Sequence, residues 1–236
     1  MPIFHNEVQQ GSEEWLRLRS GIPTASRFSD ILTKSGKPSA SAERYLYTLL
    51  AERLIGHPVI EHVSMWQQRG TELEADALSF FELQTDLSAR PIGFVTNGEG
   101  TWGASPDALV GDDAILEIKC PSEYQHCMML MQSGSAYEAH KVQVQGQLLV
   151  TARRSAWVLS YNPEMPPALT RVERDEPFLK LLSAALNTFS LELERQFAIC
   201  QERGWAKERK APKGHTLPHL PPLENLVAMM KGIVVP

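Results

Sequence analysis

Between Pro91 and Lys119 the chain is divided into short runs of strand-forming residues, and this division constrains the fold more than any other feature. The runs cover residues 91–95, 101–104, 107–110 and 114–119, with turn-forming Gly, Asn and Asp residues between some of them. Short strands separated by such turns are typical of an antiparallel meander. The sequence therefore predicts a cluster of short strands near the middle of the chain.

Helical periodicity flanks this cluster on both sides. The predicted elements outside it are, in chain order, short helices at 15–18 and after 24, helices at 41–56, 72–83 and 137–151, strands at 156–161 and 169–172, and a helix from 175 to about 200. Ser41 and Asp175 are suitable N-caps, and Gly56 is a suitable C-cap. Helices around a strand cluster predict an α/β fold of the mixed α+β type, with a central mixed sheet flanked by helices.

Composition sets the class of protein. Of the 236 residues, 43% are hydrophobic and 22% are charged, which is typical of a globular protein and excludes a disordered one. A formal charge of −5 argues against a general nucleic-acid coat but leaves room for a local basic groove. Three cysteines exclude a disulfide scaffold and favour a reducing compartment. Without an apolar run of about 18 residues or a signal-peptide pattern, the sequence predicts a cytoplasmic protein with no membrane span.

The last 36 residues differ in composition from the rest. They contain five of the sixteen prolines and carry a net charge of +3, against −8 for residues 1–200. The sequence therefore predicts a domain over 1–200 and a basic, Pro-rich extension over 201–236. Apolar residues recur there at helical spacing, at Leu223, Leu226, Val227 and Met230. They predict a short docking helix for a partner or, alternatively, one that folds back on its own domain.

Asp107 and Glu117 belong to the pattern with the most chemical content. In a strand, Glu117 and Lys119 share one face and Ile118 points into the core. A hairpin through residues 111–113 brings Asp107 beside Glu117. Two carboxylates and a main-chain carbonyl suit Mg²⁺, and a nearby lysine orients or deprotonates a metal-bound water, as metal-assisted phosphodiester hydrolysis requires. The alternative is a solvated Glu117–Lys119 ion pair.

The string Pro106-Asp107, followed by Glu117-Ile118-Lys119, resembles the core motif of the PD-(D/E)XK nucleases. Further segments are similar, in order and spacing, to those of the lambda exonuclease and YqaJ-type viral recombinase family: residues 13–19, 21–26, 69–74, 116–121, 143–145 and 172–176. Each segment is weak alone, but the ordered set is specific. The resemblance covers about residues 9–199 and does not include the C-terminal extension.

This resemblance implies a PD-(D/E)XK restriction-endonuclease-like core and an Mg²⁺-dependent 5′→3′ exonuclease. Such an enzyme degrades one strand of linear double-stranded DNA and leaves 3′ single-stranded overhangs for a single-strand annealing protein in phage recombination. It also implies a homotrimeric ring, encoded by a phage or prophage and active in the cytoplasm of a bacterial host cell. The alternatives are an endonuclease or single-strand exonuclease of the same fold, and a non-catalytic module that binds DNA ends or a partner.

The resemblance also implies a metal site for two Mg²⁺ ions, which Mn²⁺ can replace. The implied metal ligands are the carboxylates of Asp107, Glu117 and Glu74 and the main-chain carbonyl of Ile118. The implied catalytic residues are these carboxylates together with Lys119 and Gln143, of which Gln143 positions the attacking water. One metal activates the water and the other stabilises the leaving oxygen.

Arg19 and Ser26 match residues that bind the 5′-phosphate in the family. A guanidinium takes phosphate oxygens as a fork, and a serine near a helix start adds a hydroxyl and free N–H groups. The alternatives are an ion pair of Arg19 with Glu13 or Glu14, and a capping role for Ser26.

Other DNA contacts are expected at two places. Lys34 or Lys37 is expected to contact DNA, and both lie in a loop that is shorter than its counterpart in the family. Trp66 or Met65 lies where an apolar wedge parts the two strands, although Trp66 is equally suited to packing a helix end. Asn97 stands where the family has an acidic residue, a departure from the pattern.

Zinc chemistry has little support. Cys120, His126 and Cys127 are suitable ligands, but the cluster lacks a fourth partner. His140 lies on the same helix face as Gln143, either near the predicted site or at the surface.

Overall fold

The structure is a computed structural model that describes residues 1–59, 65–132 and 136–206, excluding the side chains of residues 65–72 and 132. The docking helix predicted around residues 223–230 lies outside the described residues. Within the described ranges, none of the helices combines the length and apolar character that crossing a membrane requires.

The described residues form a mixed α/β arrangement. The helices are α1 (Glu13–Arg19), a 3₁₀ helix (Ala25–Asp30), α2 (Ala42–Ile55), α3 (Met65–Thr85), α4 (Glu123–Gln132), α5 (Tyr137–Thr151) and α6 (Glu176–Glu202). The strands are β1 (Ile3–His5), β2 (Ala89–Pro91), β3 (Phe94–Thr96), β4 (Gly103–Ala104), β5 (Ala108–Val110), β6 (Ala114–Lys119), β7 (Ser155–Ser160) and β8 (Ala168–Glu173). Helices flank a central mixed sheet, which confirms the predicted fold class.

Local sequence signals set several helix ends. Asp175 caps α6, because its side chain accepts a hydrogen bond from the backbone N–H of Phe178. Helix α2 ends at Gly56, whose φ of +85° is a left-handed conformation that glycine adopts without strain. These ends could be predicted because a cap acts over three or four residues of chain.

The predicted strand cluster is split between two sheets, so the single meander is wrong. Strands β2-β5-β6-β7-β8 form a five-stranded sheet in that order, and β1-β3-β4 form a three-stranded sheet. The run over 91–95 is broken near Gly93 into the end of β2 and the start of β3. A Cβ atom at Gly93 would lie 1.7 Å from the carbonyl oxygen of Val8, so the chain passes Val8 at a distance that only glycine permits. A close approach between distant segments leaves no periodic signal in the sequence.

Strand β6 lies inside the five-stranded sheet. It pairs antiparallel with β5 and parallel with β7. Parallel neighbours need a crossover connection, which α4 and α5 supply here. Residues 114–118 of β6 are buried, so the strand is fixed from both faces. Side chains at its C-terminal end are therefore held on a rigid support.

Helix α5 packs against the 3₁₀ helix, the β3–β4 pair and β7. At Gly146 of α5, an added Cβ would lie 2.5 Å from the Phe28 ring of the 3₁₀ helix. The missing side chain therefore lets the two helices touch. Val144 and Leu148 of α5 are fully buried in the main core.

Leu148→Ala should lower the free energy of unfolding by about 2–5 kcal/mol, because truncating a fully buried leucine leaves a cavity. Leu83→Ala is the matched control in α3, since Leu83 is 87% exposed, and it should change the free energy by no more than about 0.5 kcal/mol. Urea unfolding followed by circular dichroism measures both variants. Equal effects would contradict the burial of α5.

Candidate active site

The β5–β6 hairpin brings two acidic residues to the same level of the sheet. Ala108 pairs with Leu116, so the next pair in this register is Asp107 with Glu117. The amide N of Asp107 donates to the Leu116 carbonyl at 3.0 Å. Asp107 Oδ2 accepts a hydrogen bond of 2.5 Å from the amide N of Ile118. The predicted hairpin is present and holds Asp107 against the strand that carries Glu117.

Glu117 and Lys119 share one face of β6, as strand alternation predicts. Lys119 Nζ lies 2.7 Å from Glu117 Oε1. Glu117 is only 2% exposed, so the pair is not a solvated one. Ile118 packs on the other face in an apolar cluster with Ala77 and Phe81 of α3. The burial of this carboxylate distinguishes it from an ordinary surface ion pair.

Helix α5 brings two amide side chains to Glu117. Gln143 Nε2 donates to Glu117 Oε1 at 2.5 Å, and Lys119 Nζ donates to Gln143 Oε1 at 3.2 Å. Gln147 Nε2 donates to Glu117 Oε2 at 2.5 Å. The sequence predicted Gln143 in the site but missed Gln147. The available signal was the four-residue spacing, which places both amides on one helix face.

Glu74, on α3, is close enough to Glu117 and Asp107 for the charges to interact. Burial raises the pKa of Glu74, and the charge of Glu117 raises it further. Burial, followed by the charge of Glu117, raises the pKa of Asp107 well above its usual range, against the opposing hydrogen bond from Ile118. Acidic groups this close together repel one another, so binding a proton or a cation is favourable.

The side chains alone do not complete a metal cluster. In the part of the chain that the structure describes, no three Asp, Glu, His or Cys side chains converge closely enough to hold an ion. The acidic side chains Asp107, Glu117 and Glu74 therefore fit a hard cation only with further oxygen ligands from the main chain or water, the usual habit of Mg²⁺.

Lys119 carries a positive charge in this site. Burial lowers the pKa of Lys119, but the charge of Glu117 and its hydrogen bond outweigh that effect, so the pKa lies above its usual value. His140 lies at a kink in α5. Burial and the charge of Lys119 lower the pKa of His140 to about 4, so its ring is neutral at pH 7. The electrostatic contact with Lys119 places His140 near the site rather than at a distant surface.

Arg19 and Ser26 form a second cluster. The guanidinium of Arg19 lies over the Trp15 ring, 3.9 Å from its centroid, and Arg19 Nη2 donates to Ser26 Oγ at 3.4 Å. Thr24 Oγ1 lies 3.4 Å from Ser26 Oγ. Burial lowers the pKa of Arg19 to about 10, so the group stays charged at neutral pH. The alternative is an ion pair of Arg19 with Glu13 or Glu14. Glu14 instead forms an ion pair with Arg17.

Trp15 connects this cluster to the carboxylates. Trp15 Nε1 donates to Ser105 Oγ at 2.9 Å, two residues before Asp107. Thr24 also forms a bridge with Gly103, at the start of β4. Neither Trp15 nor Ser105 is predicted in the site from the sequence, because their contact spans 90 residues of chain. The Arg19–Ser26 cluster and the carboxylates therefore lie on connected parts of one scaffold.

The remaining predicted DNA contacts are exposed or have side chains outside the described ones. Lys34 and Lys37 lie on an exposed turn. Met65 and Trp66 begin α3, but their side chains are not among those described. Asn97 stabilises the β3–β4 turn, where its Oδ1 accepts hydrogen bonds from the N–H groups of residues 101 and 102. That contact explains why an amide suits this position.

The cysteine–histidine segment has a structural arrangement. His126 is buried, and its two ring nitrogens lie 2.9 Å from Ser160 Oγ and 2.9 Å from the Pro166 carbonyl. Cys127 is exposed on α4. With both nitrogens engaged, His126 joins α4 to the five-stranded sheet instead of offering a metal ligand.

The family model of the YqaJ-like viral recombinase domain matches residues 14–154. This span includes both clusters and ends before β7, β8 and α6. The chain belongs to the YqaJ-like viral recombinase family. Among solved structures, this family member is 31% identical to an alkaline exonuclease from Laribacter hongkongensis, with a TM-score of 0.74. That match covers 82% of this chain and 98% of the other. This likeness to an alkaline exonuclease supports the predicted PD-(D/E)XK-like core of the YqaJ-like chain.

Two further solved structures are similar to this YqaJ-like chain. The Laribacter hongkongensis enzyme in complex with dAMP is 32% identical, with a TM-score of 0.74 and coverage of 82% of this chain and 98% of that chain. A phage related exonuclease from Haemophilus somnus 129PT is 15% identical, with a TM-score of 0.59 and coverage of 75% and 96%, which supports the fold alone. Among curated proteins, none matches this chain.

Asp107→Asn should stabilise the metal-free protein at pH 8. Since folding raises the pKa of Asp107, its ionisation opposes folding, and stability is lost as the pH rises from the ordinary pKa of 3.8 to the raised one. The neutral amide removes this cost and the repulsion from Glu117. Thermal unfolding in EDTA should show a higher Tm for the variant at pH 8 and a smaller difference at pH 4. A lower Tm at pH 8 would contradict the crowding of these carboxylates.

Proposed function

We propose that this chain is a metal-dependent 5′→3′ exonuclease that degrades one strand of linear double-stranded DNA and leaves a 3′ single-stranded overhang. The observation that carries the proposal is the connection between two clusters. The Asp107–Glu117–Lys119 cluster suits phosphodiester hydrolysis, and the Arg19–Ser26 cluster suits a terminal phosphate. Trp15 contacts the second cluster and the segment leading into the first.

The donor atoms of the first cluster suit Mg²⁺, with Mn²⁺ as a substitute, because hard cations take oxygen ligands. Carboxylates from Asp107, Glu117 and Glu74 and the carbonyl of Ile118 would hold two such ions. When bound, the metal supplies Lewis acidity that activates water and offsets the charge of the phosphodiester.

The protein's own groups supply positioning and charge. Lys119 stays protonated beside Glu117, so its ammonium group stabilises negative charge that develops on the phosphate. Gln143 is held by both Glu117 and Lys119, and this arrangement fixes its amide for orienting the attacking water. These contacts join three of the predicted catalytic residues, Glu117, Lys119 and Gln143.

The Arg19–Ser26 cluster supports action from a DNA end. Its guanidinium and hydroxyl groups match the acceptor oxygens of a terminal phosphate, a group that an endonuclease has no need to bind. The relative in complex with dAMP binds a mononucleotide. A mononucleotide has the chemistry of an exonuclease product, which supports end-directed cleavage over internal cleavage.

The wider assembly extends the same proposal. A homotrimeric ring would let Lys34 or Lys37 of three copies line one channel, so a chain with a net charge of −5 could hold DNA. Trp66 or Met65 would part the strands at the channel entrance. A single-strand annealing protein would take up the 3′ overhang in phage recombination, in the cytoplasm of a bacterial host.

The direct test is digestion of linear duplex DNA with Mg²⁺, with one 5′ end phosphorylated and each strand labelled separately. We expect loss of the phosphorylated strand from its 5′ end and survival of its complement. Internal cuts would favour the endonuclease, loss of single strands alone would favour a single-strand exonuclease, and binding without cleavage would favour a non-catalytic module. Each of these outcomes would contradict the proposal.

Arg19→Ala should remove the preference for a 5′-phosphate, since the charged fork that binds it is lost. Arg17→Ala is the matched control on α1, because Arg17 is exposed and pairs with Glu14. The ratio of initial rates on 5′-phosphate and 5′-hydroxyl ends measures the effect. We expect a ratio near one for Arg19→Ala and an unchanged ratio for Arg17→Ala. The opposite pattern would remove Arg19 from the phosphate site.

Lys119→Ala should lower the cleavage rate by about 100-fold or more while leaving DNA affinity within about threefold, because Lys119 acts on the transition state rather than on binding. Single-turnover cleavage and fluorescence anisotropy measure the two properties. Lys141→Ala on α5 is a suitable control, since Lys141 pairs with Asp175 instead of the carboxylate site. Cleavage by Lys119→Ala at the wild-type rate would exclude the proposed role.

A further inference from the structure

The side chain of Gln147 is almost wholly buried, with 1% of the residue exposed, and it contacts the most buried carboxylate of the site. Its Nε2 donates to Glu117 Oε2 at 2.5 Å. Gln143 and Lys119 both contact the other oxygen, Glu117 Oε1. Gln147 is therefore the donor that the described residues supply to Oε2.

The amide of Gln147 also reaches the segment that carries the second carboxylate. Its Nε2 lies 3.5 Å from the carbonyl oxygen of Ser105, two residues before Asp107. One buried amide thus spans β6 and the entry to β5. A shift of Gln147 would be transmitted to Glu117 directly and to Asp107 through the chain.

The carboxylate of Glu117 sets the orientation of this amide. A carboxylate only accepts hydrogen bonds, so Gln147 must turn its NH₂ group toward Glu117. Its Oε1 is consequently buried with no hydrogen-bond partner among the described residues. An unsatisfied buried acceptor destabilises a fold. The amide therefore satisfies Glu117 Oε2 at the expense of its own Oε1.

We propose that Gln147 is a positioning residue that fixes the carboxylate of Glu117 for divalent metal binding. The inference rests on the proposed function, in which Glu117 is a metal ligand. Partners that orient a ligating carboxylate typically change metal affinity by 10- to 100-fold when they are removed. Gln147 acts through Glu117 and is distinct from Gln143, which contacts Glu117 and Lys119 together.

The test is calorimetric titration of Mn²⁺ into the full-length protein without DNA. Gln147→Leu and Gln147→Asn should each bind Mn²⁺ at least about 10-fold more weakly than the wild type, since one variant lacks the donor and the other retracts it. Circular dichroism and Tm, measured on the same samples, establish that the protein titrated is folded.

Gln145→Leu is the matched control. Gln145 lies on the same helix, is equally buried and donates to Tyr137 and the carbonyl of Glu173, away from the carboxylates. This variant should lower the Tm and leave Mn²⁺ affinity unchanged. Wild-type affinity in both Gln147 variants would overturn the inference, as would an equal loss of affinity in Gln145→Leu. Failure of both Gln147 variants to fold, where Gln145→Leu folds, would assign Gln147 to stability and overturn it as well.

The strand-labelled digestion separates this inference from the proposed function. If the wild type binds Mn²⁺ but does not degrade DNA from the 5′ end, the proposed function fails while the affinity comparison stands. If the wild type degrades DNA as proposed and Gln147→Leu binds Mn²⁺ normally, the positioning role alone fails.

Discussion

The carboxylate of Glu117 is a negative charge placed inside the protein, and much of the surrounding structure is needed to hold it there. Burying an ionised carboxylate is costly unless hydrogen bonds and an opposite charge compensate. Lys119 and Gln143 contact one oxygen, and Gln147 contacts the other. Two of these partners come from α5, which is far from β6 in the sequence. The position of α5 therefore decides whether the charge can be tolerated.

The packing of α5 also connects the carboxylates to the Arg19–Ser26 cluster. Gly146 lets the 3₁₀ helix, which contains Ser26, touch the helix that carries Gln143 and Gln147. Trp15 adds a second connection, since its ring lies under Arg19 and its indole N–H reaches Ser105. In the proposed function, such a scaffold would fix the distance between a terminal phosphate at Arg19 and the bond to be cleaved at the carboxylates, as end-directed cleavage requires.

The acidic site opposes folding when no cation is bound. Burial raises the pKa of Asp107 and of Glu74, and the charge of Glu117 raises both further. Crowded carboxylates and the unsatisfied oxygen of Gln147 are features that selection for stability alone would remove. Their cost is balanced elsewhere by the apolar core. In the proposed function, divalent metal binding uses the same charge concentration that destabilises the metal-free protein.

The sequence by itself determined the Asp175 cap of α6, the end of α2 at Gly56, the β5–β6 hairpin and the shared face of Glu117 and Lys119, because caps, turns and strand alternation act over a few residues. It did not determine the start of α2, where the predicted cap Ser41 makes no side-chain hydrogen bond, or the start of α3, which begins at Met65 instead of residue 72. The ordered motifs also identified the family and the fold. Only the tertiary structure decided that the strand cluster splits at Gly93, where the chain passes close to Val8. It also placed Gln147 on Glu117 and Trp15 against Ser105. These contacts join residues 30 and 90 positions apart. The four-residue spacing places Gln147 on the same helix face as Gln143, but which side chains that face meets is decided only when separate elements pack together.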